Sequence, residues 1–556
     1  MFMSFAKNKL YVVLLALTAV GSYGFMITHH TIGMDDTPYA YYFEEGLAAI
    51  VGRWVLYLMN KVVSVAEFAP FLTDFAGVLI LMVAVTVWCA LFYSVLKDRV
   101  PWYGYLFFAC IFVSCPLISE VYVYYLHNGI AIGYLCSGIS LCLFLDGLSG
   151  KRQGWTTLVA SALFLCVALG CYESFMMVWL MGICMILALK RMCLEKNSVP
   201  VAIAMAGVVA LVAMVLRSVM IAGVTAVFGL EDLKAEAIQR SVTELAGWIF
   251  EPDAFANFAM GIKRAYVMYV AYAAVYYPIK IFVWATVVIV IAGIVLSIRQ
   301  KDAWIGVLIV AGYIAAFSLI LIEGKETYYR SAQFLPIVCG LGALLALWGV
   351  WVVTSRCITA ECVAGAFKTN VARGCRSLAI VLFAIVIWNQ CADMTKWFYM
   401  DWQKYEAAKG TMQDIGYELE MNFDTTKPIV FTGIYEIPET ITDAAYVDYG
   451  TPEYFKLLRL TTWLDEHLLE KFQREEGVLM AQQPQLSVIE WGRTAFGTDQ
   501  ELINFFRMHG YDLKGIEDQD MFAGIMEEAV EYSLALPRFP REGSIVDMGE
   551  YIIVHF

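Results

Sequence analysis

The stretch Lys9-Leu-Tyr-Val-Val-Leu-Leu-Ala-Leu-Thr-Ala-Val-Gly-Ser-Tyr-Gly-Phe-Met-Ile-Thr28 decides the class of this protein. Beyond Lys9 it offers about 19 apolar or small residues with no charge, roughly the length a helix needs to cross a bilayer core. A secretory signal has a shorter apolar part, about 7–15 residues, and a small-residue cleavage site, which is missing here. The stretch therefore reads as a first spanning helix. Directly after it come His29-His30-Thr-Ile-Gly-Met-Asp35-Asp36, then Glu44-Glu45 and Gly52-Arg53-Trp54. No hydrocarbon layer tolerates that loop, so the chain has reached water.

Composition extends the reading to most of the chain. Of 556 residues, 60% are hydrophobic and 16% charged, and mean hydropathy is +0.66. Soluble domains carry about 25% charged residues. Further apolar runs lie near 70–95, 101–118, 129–145, 155–171, 174–189, 199–223, 277–297, 303–322, 334–354 and 377–392, for about 11 spanning helices in all. With the N-terminus inside, the inner segments hold 15 bases against 5 acids, while the outer ones before residue 394 hold 10 bases against 17 acids. Positive charge collects on the cytoplasmic side, so this orientation is expected, with the C-terminal end outside. Gly46–Val65 reads as an amphipathic helix along the membrane surface. The run Tyr266, Tyr269, Tyr272, Tyr276 and Tyr277 has three members at spacings of three and four, as on one helix face, and reads as an interfacial aromatic belt or as a surface for stacking sugars or an isoprenoid.

From Met394 onward the character changes. The tail has 29 acids and 13 bases, a net of −16, whereas the remainder nets +3. An acidic tail argues against nucleic acid and against docking on anionic lipid. The expected organisation is a transmembrane catalytic part, 1–393, and an extracytoplasmic α/β domain, 394–556. Within the tail, Trp402–Phe423, Pro452–Glu476 and Asp499–His509 read as helices, and Lys427–Gly433 as a buried strand ending in a turn. Ser544–Phe556 reads as a hairpin turning at Met548-Gly549. All 14 Cys precede residue 394 and none forms a CxxC pair, so small core residues are expected rather than zinc or a disulfide framework.

The chemistry concentrates at the predicted outer ends of the spans. Adjacent carboxylates repel, so Asp35-Asp36 persist where water, a cation or a proton-transfer task accommodates them. A carboxylate there can take the proton of an attacking hydroxyl, and these two are the catalytic candidates. Arg53, Trp54, Glu120, His127, Tyr172, Glu173, Lys325, Tyr329 and Arg330 are the substrate-binding candidates. Arg53, Lys325 and Arg330, with Lys263-Arg264, suit a phosphate clamp. The carboxylate pair could hold a divalent cation such as Mg²⁺, although a phosphate-clamping Arg set makes one unnecessary, and no metal ligand set is assigned. There is no Walker A loop, no HExxH and no inner loop long enough for a nucleotide-sugar domain. A donor must come from the membrane or from outside. Nearly charge-free spans, apart from Arg217 and Lys280, argue against the main alternative, a transporter or flippase of lipid-linked sugars.

Asp35-Asp36 after the first span, followed by Gly52-Arg53-Trp54, resembles the GtrII-like glucosyltransferases, a bacterial family of GT-C membrane proteins. Tyr172-Glu173 is similar to that family's Tyr-Gln position, with Glu in place of Gln. Tyr329-Arg330 with Leu335-Pro336, and the Trp402–Phe423 helix leading into Lys427–Gly433, complete the likeness over roughly 1–435. The resemblance implies a GT-C-like fold and transfer of a hexose, glucose first, from a polyprenyl-phosphate donor to a cell-surface polysaccharide. It also implies a multi-pass cell-membrane protein whose partners are that lipid-linked sugar, the glycan acceptor and the bilayer, with no nucleic acid.

Overall fold

The computed structural model describes residues 2–31, 47–63, 70–119, 127–149, 154–195, 198–230, 247–250, 252–266, 269, 281–323, 331–359, 365–435, 491–492, 499–516 and 518–556. Helix α1, Lys9–Thr28, begins where the Asn8 side chain accepts the backbone N–H of Tyr11 at 3.2 Å. Tyr11, Leu15, Thr18, Ala19, Ser22, Tyr23 and Met26 form its buried face. Leu10, Val13, Leu17 and Val20 are exposed on the other, where only lipid can cover them.

After α1 come two short helices, α2 (Leu47–Ile50) and α3 (Trp54–Val63), and then a bundle. Its members are α4 (Pro70–Leu96), α5 (Trp102–Val113), α6 (His127–Leu148), α7 (Gly154–Cys171), α8 (Phe175–Met192) and α9 (Val199–Phe228). The chain continues through α10 (Ala254–Tyr266), α11 (Ile281–Gln300), α12 (Trp304–Ala316), α13 (Ser318–Glu323), α14 (Leu335–Thr359) and α15 (Gly365–Asn422). Among the described residues nine helices are long and apolar enough to cross a membrane, and two further apolar helices, α5 and α12, are shorter.

Those two correct the expectation of full-length spans at 101–118 and 303–322. Helix α5 has 12 residues, about 18 Å at 1.5 Å per residue. It is buried from Gly104 to Val113, so it is a helix of the bundle interior. Ser114 ends it by donating to the Cys110 carbonyl at 2.8 Å, and Cys115-Pro116 follows. Helix α12 stops at Phe317, and α13 restarts one residue on.

Interhelical hydroxyls tie the bundle where apolar contact alone gives little preference among helices in lipid. Ser140 on α6 donates to the Ser161 carbonyl at 2.8 Å, and Trp179 Nε1 on α8 donates to Ser140 Oγ at 2.8 Å. At one end of the bundle, loops expected on the same side touch. Arg191 Nε meets Asp302 Oδ2 at 2.6 Å, Arg99 donates to the Cys193 carbonyl at 3.1 Å, and Gln300 to the Met192 carbonyl at 2.8 Å.

Helix α15 runs unbroken for 58 residues, where the sequence suggested a span and a separate helix. Its earlier part lies along α1, with Thr395 donating to the Gly21 carbonyl at 2.9 Å. Further on, Tyr405, Ala408, Met412, Ile415 and Leu419 recur every three or four residues and form one face of a second core. The other face is a three-stranded sheet ordered β1-β5-β4, with β1 Ile429–Thr432, β4 Ile545–Asp547 and β5 Ile552–His555. A second, two-stranded pairing joins β2 (Ile434–Tyr435) to β3 (Trp491–Gly492). Strand β1 runs parallel to β5, and β4 antiparallel to it through the expected turn at Met548-Gly549, where Gly549 has φ +95°. Helix α16, Asp499–Met508, matches the sequence reading; α17, Gln519–Ser533, was not anticipated. The predicted helix at Pro452–Glu476 lies outside the described residues.

Candidate active site

The site is built on Gly52. Helices α2 and α3 are separate because the chain turns between them, with Gly52 at φ +90°, a conformation glycine adopts at little cost. Arg53 N–H closes the turn onto the Ala48 carbonyl at 2.8 Å. Trp54, expected among the substrate-binding groups, is instead turned into the core. Its indole Nε1 lies so close to α7 that a Cβ on Gly170 would stand 2.4 Å from it. Leu56 seats in the same way against Gly129 near the head of α6. The amphipathic segment expected along the interface is thus a cap across the ends of α6, α7 and α9, anchored by its aromatic and aliphatic side chains. Tyr57 meets Phe228 of α9 edge-on at 5.1 Å.

This anchoring presents Arg53 to the three-residue turn between α7 and α8. Its guanidinium stacks over the Tyr172 ring at 4.4 Å. Its buried Nε has no hydrogen-bond partner among the described residues, leaving a donor unused. The next residue, Glu173, meets Arg217 of α9, with Oε1 2.6 Å from Nη2. Arg217 also donates through Nε to the Leu169 carbonyl at 3.2 Å and through Nη2 to the Gly52 carbonyl at 3.5 Å. Ser174 completes the turn by donating to the Gln333 side-chain oxygen, and Tyr134 donates to the Gln333 carbonyl at 2.6 Å. One short turn therefore gathers α3, α9 and the approach to α14.

Around the end of α1 lies a second polar group. His30 Nδ1 meets Asp74 Oδ2 of α4 at 3.2 Å, and Thr31 donates to Asp401 Oδ2 of α15 at 2.7 Å. Asp74 and Asp401 are 2% and 1% exposed, and with His29, Met26 and Phe398 they line a small cleft. His29 also belongs to an aromatic cluster, stacked on Phe25 at 4.0 Å and edge-on to Trp402 at 5.1 Å. The two polar groups flank, along the chain, the segment that carries Asp35 and Asp36.

Of the candidate residues, the structure brings Arg53, Tyr172 and Glu173 together. His127 begins α6, and Asp35, Asp36, Glu120, Lys325, Tyr329 and Arg330 lie outside the described residues. So does most of the tyrosine run. Tyr269 is described and is buried, edge-on to Phe317 at 5.7 Å rather than facing an interface. Among the described residues no group of three or more His, Cys, Asp or Glu is placed to hold a metal ion.

Residues 24–347 match the family model described as glucosyl transferase GtrII. The chain belongs to that family. The matched span runs from inside α1 into α14 and so contains every element of the Gly52 site, while α15 and the C-terminal domain lie beyond it. Membership makes this a multi-pass membrane protein of a glycosyltransferase family, in line with the resemblance drawn from the loop after the first span. No curated protein matches the chain. Among solved structures, ArnT from Cupriavidus metallidurans, crystallised with undecaprenyl phosphate, is similar at 11% identity and a TM-score of 0.33, covering 82% of this chain and 89% of that one. A likeness of that size carries no argument about what this chain binds.

Two contributors escaped the sequence reading as site residues. Arg217 was legible only as an isolated charge in an apolar run, although an Arg in a spanning helix is costly and is itself a signal that a partner exists. Asp74 was passed over inside the apolar run 70–95, because its partner His30 lies 44 positions earlier.

Proposed function

We propose that the protein transfers a hexose, glucose first, from a polyprenyl-phosphate donor to a cell-surface polysaccharide on the outer face of the membrane. The observation that carries the proposal is the pair of guanidinium groups, Arg53 and Arg217, set on either side of the Tyr172-Glu173 turn, Arg217 on a spanning helix whose neighbouring Met214, Val215 and Val219 are exposed. Together with one carboxylate they leave a net positive charge at a place a membrane-borne phosphate reaches. In the proposed reaction an acceptor hydroxyl attacks the anomeric carbon while Asp35 or Asp36 takes its proton. The bond from that carbon to the phosphate oxygen breaks with inversion. Polyprenyl phosphate departs with an additional negative charge, which a fixed cationic site stabilises most where the charge develops. Arg53 and Arg217, joined in the proposal by Lys325 and Arg330, supply that site. No step calls for a metal.

The test is the composition of the surface glycan with and without the protein. Loss of one terminal sugar from an otherwise intact polymer is expected. Loss of the whole polymer would point to a flippase and overturn the proposal.

A further inference from the structure

An arginine on a spanning helix needs acidic or carbonyl partners, because an unpaired guanidinium beside lipid costs several kcal/mol. Arg217 has α9 neighbours that face outward: Met214, Val215 and Val219 are each at least half exposed on the bundle surface. Its carboxylate partner is the most open member of the group, the Glu173 side chain being 46% exposed against 24% for Arg217. Backbone carbonyls hold the guanidinium at two further contacts, Leu169 through Nε at 3.2 Å and Gly52 through Nη2, the nitrogen that also meets Glu173, at 3.5 Å. The guanidinium is therefore fixed, and its acidic partner stands at the open edge.

From this arrangement we infer that Glu173 is an internal stand-in for a lipid phosphate. It holds Arg217 while the site is empty and yields it to the phosphate of an arriving isoprenoid lipid. A phosphate oxygen meets the same donor geometry as the carboxylate oxygen it replaces. Arg53, whose buried Nε is unused among the described residues and whose guanidinium lies over the Tyr172 ring, supplies the second cation across the turn. The carboxylate left behind remains half-exposed, where it can be solvated at the membrane surface. The inference rests on the proposed donor class and adds to it a competition built into the resting site.

A competition makes opposite predictions for the two partners, whereas a purely structural ion pair does not. The experiment measures binding of a polyprenyl phosphate to the full-length protein in nanodiscs of zwitterionic lipid, with size-exclusion profile and helical circular dichroism as controls for folding. Removing the competitor in Glu173→Gln is expected to tighten binding about 1.5-fold to fivefold, the range of a partly exposed ion pair. Arg217→Lys, which keeps the charge but loses the planar fork, is expected to weaken it about tenfold. Parallel titrations with phosphatidylglycerol and with inorganic phosphate identify the source. Competition by the isoprenoid phosphate alone supports the assignment, and equal competition by phosphatidylglycerol overturns it in favour of a general headgroup site. Unchanged or weaker binding in Glu173→Gln overturns the exchange while leaving the donor reading standing. Failure of the wild-type protein to bind polyprenyl phosphate overturns the donor reading itself.

Discussion

A methyl group on Gly52 would stand 2.1 Å from Nη2 of Arg217 and 3.2 Å from Oε1 of Glu173, on a residue already at φ +90°. Gly52→Ala thus combines a backbone cost of about 1–2 kcal/mol with eviction of the guanidinium. Sugar transfer in membranes should fall at least about tenfold while the protein still inserts, as judged by its yield in the membrane fraction; 1.4 kcal/mol of lost stabilisation at the reaction step suffices for that factor. Asp74→Ala is a different kind of change. It removes the buried carboxylate that His30 Nδ1 meets, and thermal unfolding in detergent should show a loss of about 1–3 kcal/mol, the usual penalty for breaking a buried polar contact. At this scale the sequence was partly legible. Arg53 and Glu173 announced themselves because charged residues beside aromatics at span ends are conspicuous. Arg217 and Asp401 did not, since a sequence shows a charge but not which residue, 44 or 370 positions away, it faces.

At the scale of elements, the pattern of apolar runs located the spans well because a bilayer imposes a length on them. It over-extended α5, since a helix buried on every side and one facing lipid are equally apolar, and it ran through the break at Phe317 that separates α12 from α13; their ends are set by Ser114 and Phe317. The tail strands were legible from Lys427–Gly433 and from the turn at Met548-Gly549. Helix α17 was missed although Asp518 caps it, accepting from Met521 N–H at 2.9 Å, because its acidic face resembles the surrounding loops. The sheet also carries a pH dependence. Hydrogen bonds from the Thr426 hydroxyl and N–H hold the Asp424 carboxyl below its usual range, and those from Lys427 and the Gly549 N–H do the same for Asp547. A folded-state value below the unfolded one stabilises fully above the ordinary carboxylate range, about pH 3.9, and the benefit is lost as pH falls through the folded values. Protection of the β4–β5 amides, measured by hydrogen exchange corrected for its intrinsic pH dependence, should therefore fall below about pH 4. In Asp547→Asn the neutral-pH protection should already be lower and the acid decline shallower. An identical acid profile in wild type and variant would show that this carboxylate does not tie the turn.

For the whole molecule, α15 is the feature that joins the parts. A helix of 58 residues is about 87 Å long, well beyond a bilayer core of about 30 Å, so it carries the membrane bundle into the acidic domain without a linker. It touches the end of α1 through Asp401 and the C-terminal core through Tyr405 to Leu419. The acidic domain is thereby held at the end of the bundle where Arg53, Glu173 and Asp74 lie. The central claim is that a lipid-linked sugar is displaced there by a hydroxyl whose proton goes to the first loop. It is tested most directly by reconstituting the full-length protein with a polyprenyl-phosphate hexose and the surface polysaccharide, and comparing wild type with Asp35→Asn and Asp36→Asn. Wild type should release polyprenyl phosphate in step with sugar transfer, and at least one variant should lose about 10²–10⁴ in rate while still binding the donor. Wild-type rates in both variants, or transfer only from a nucleotide sugar, would contradict the account.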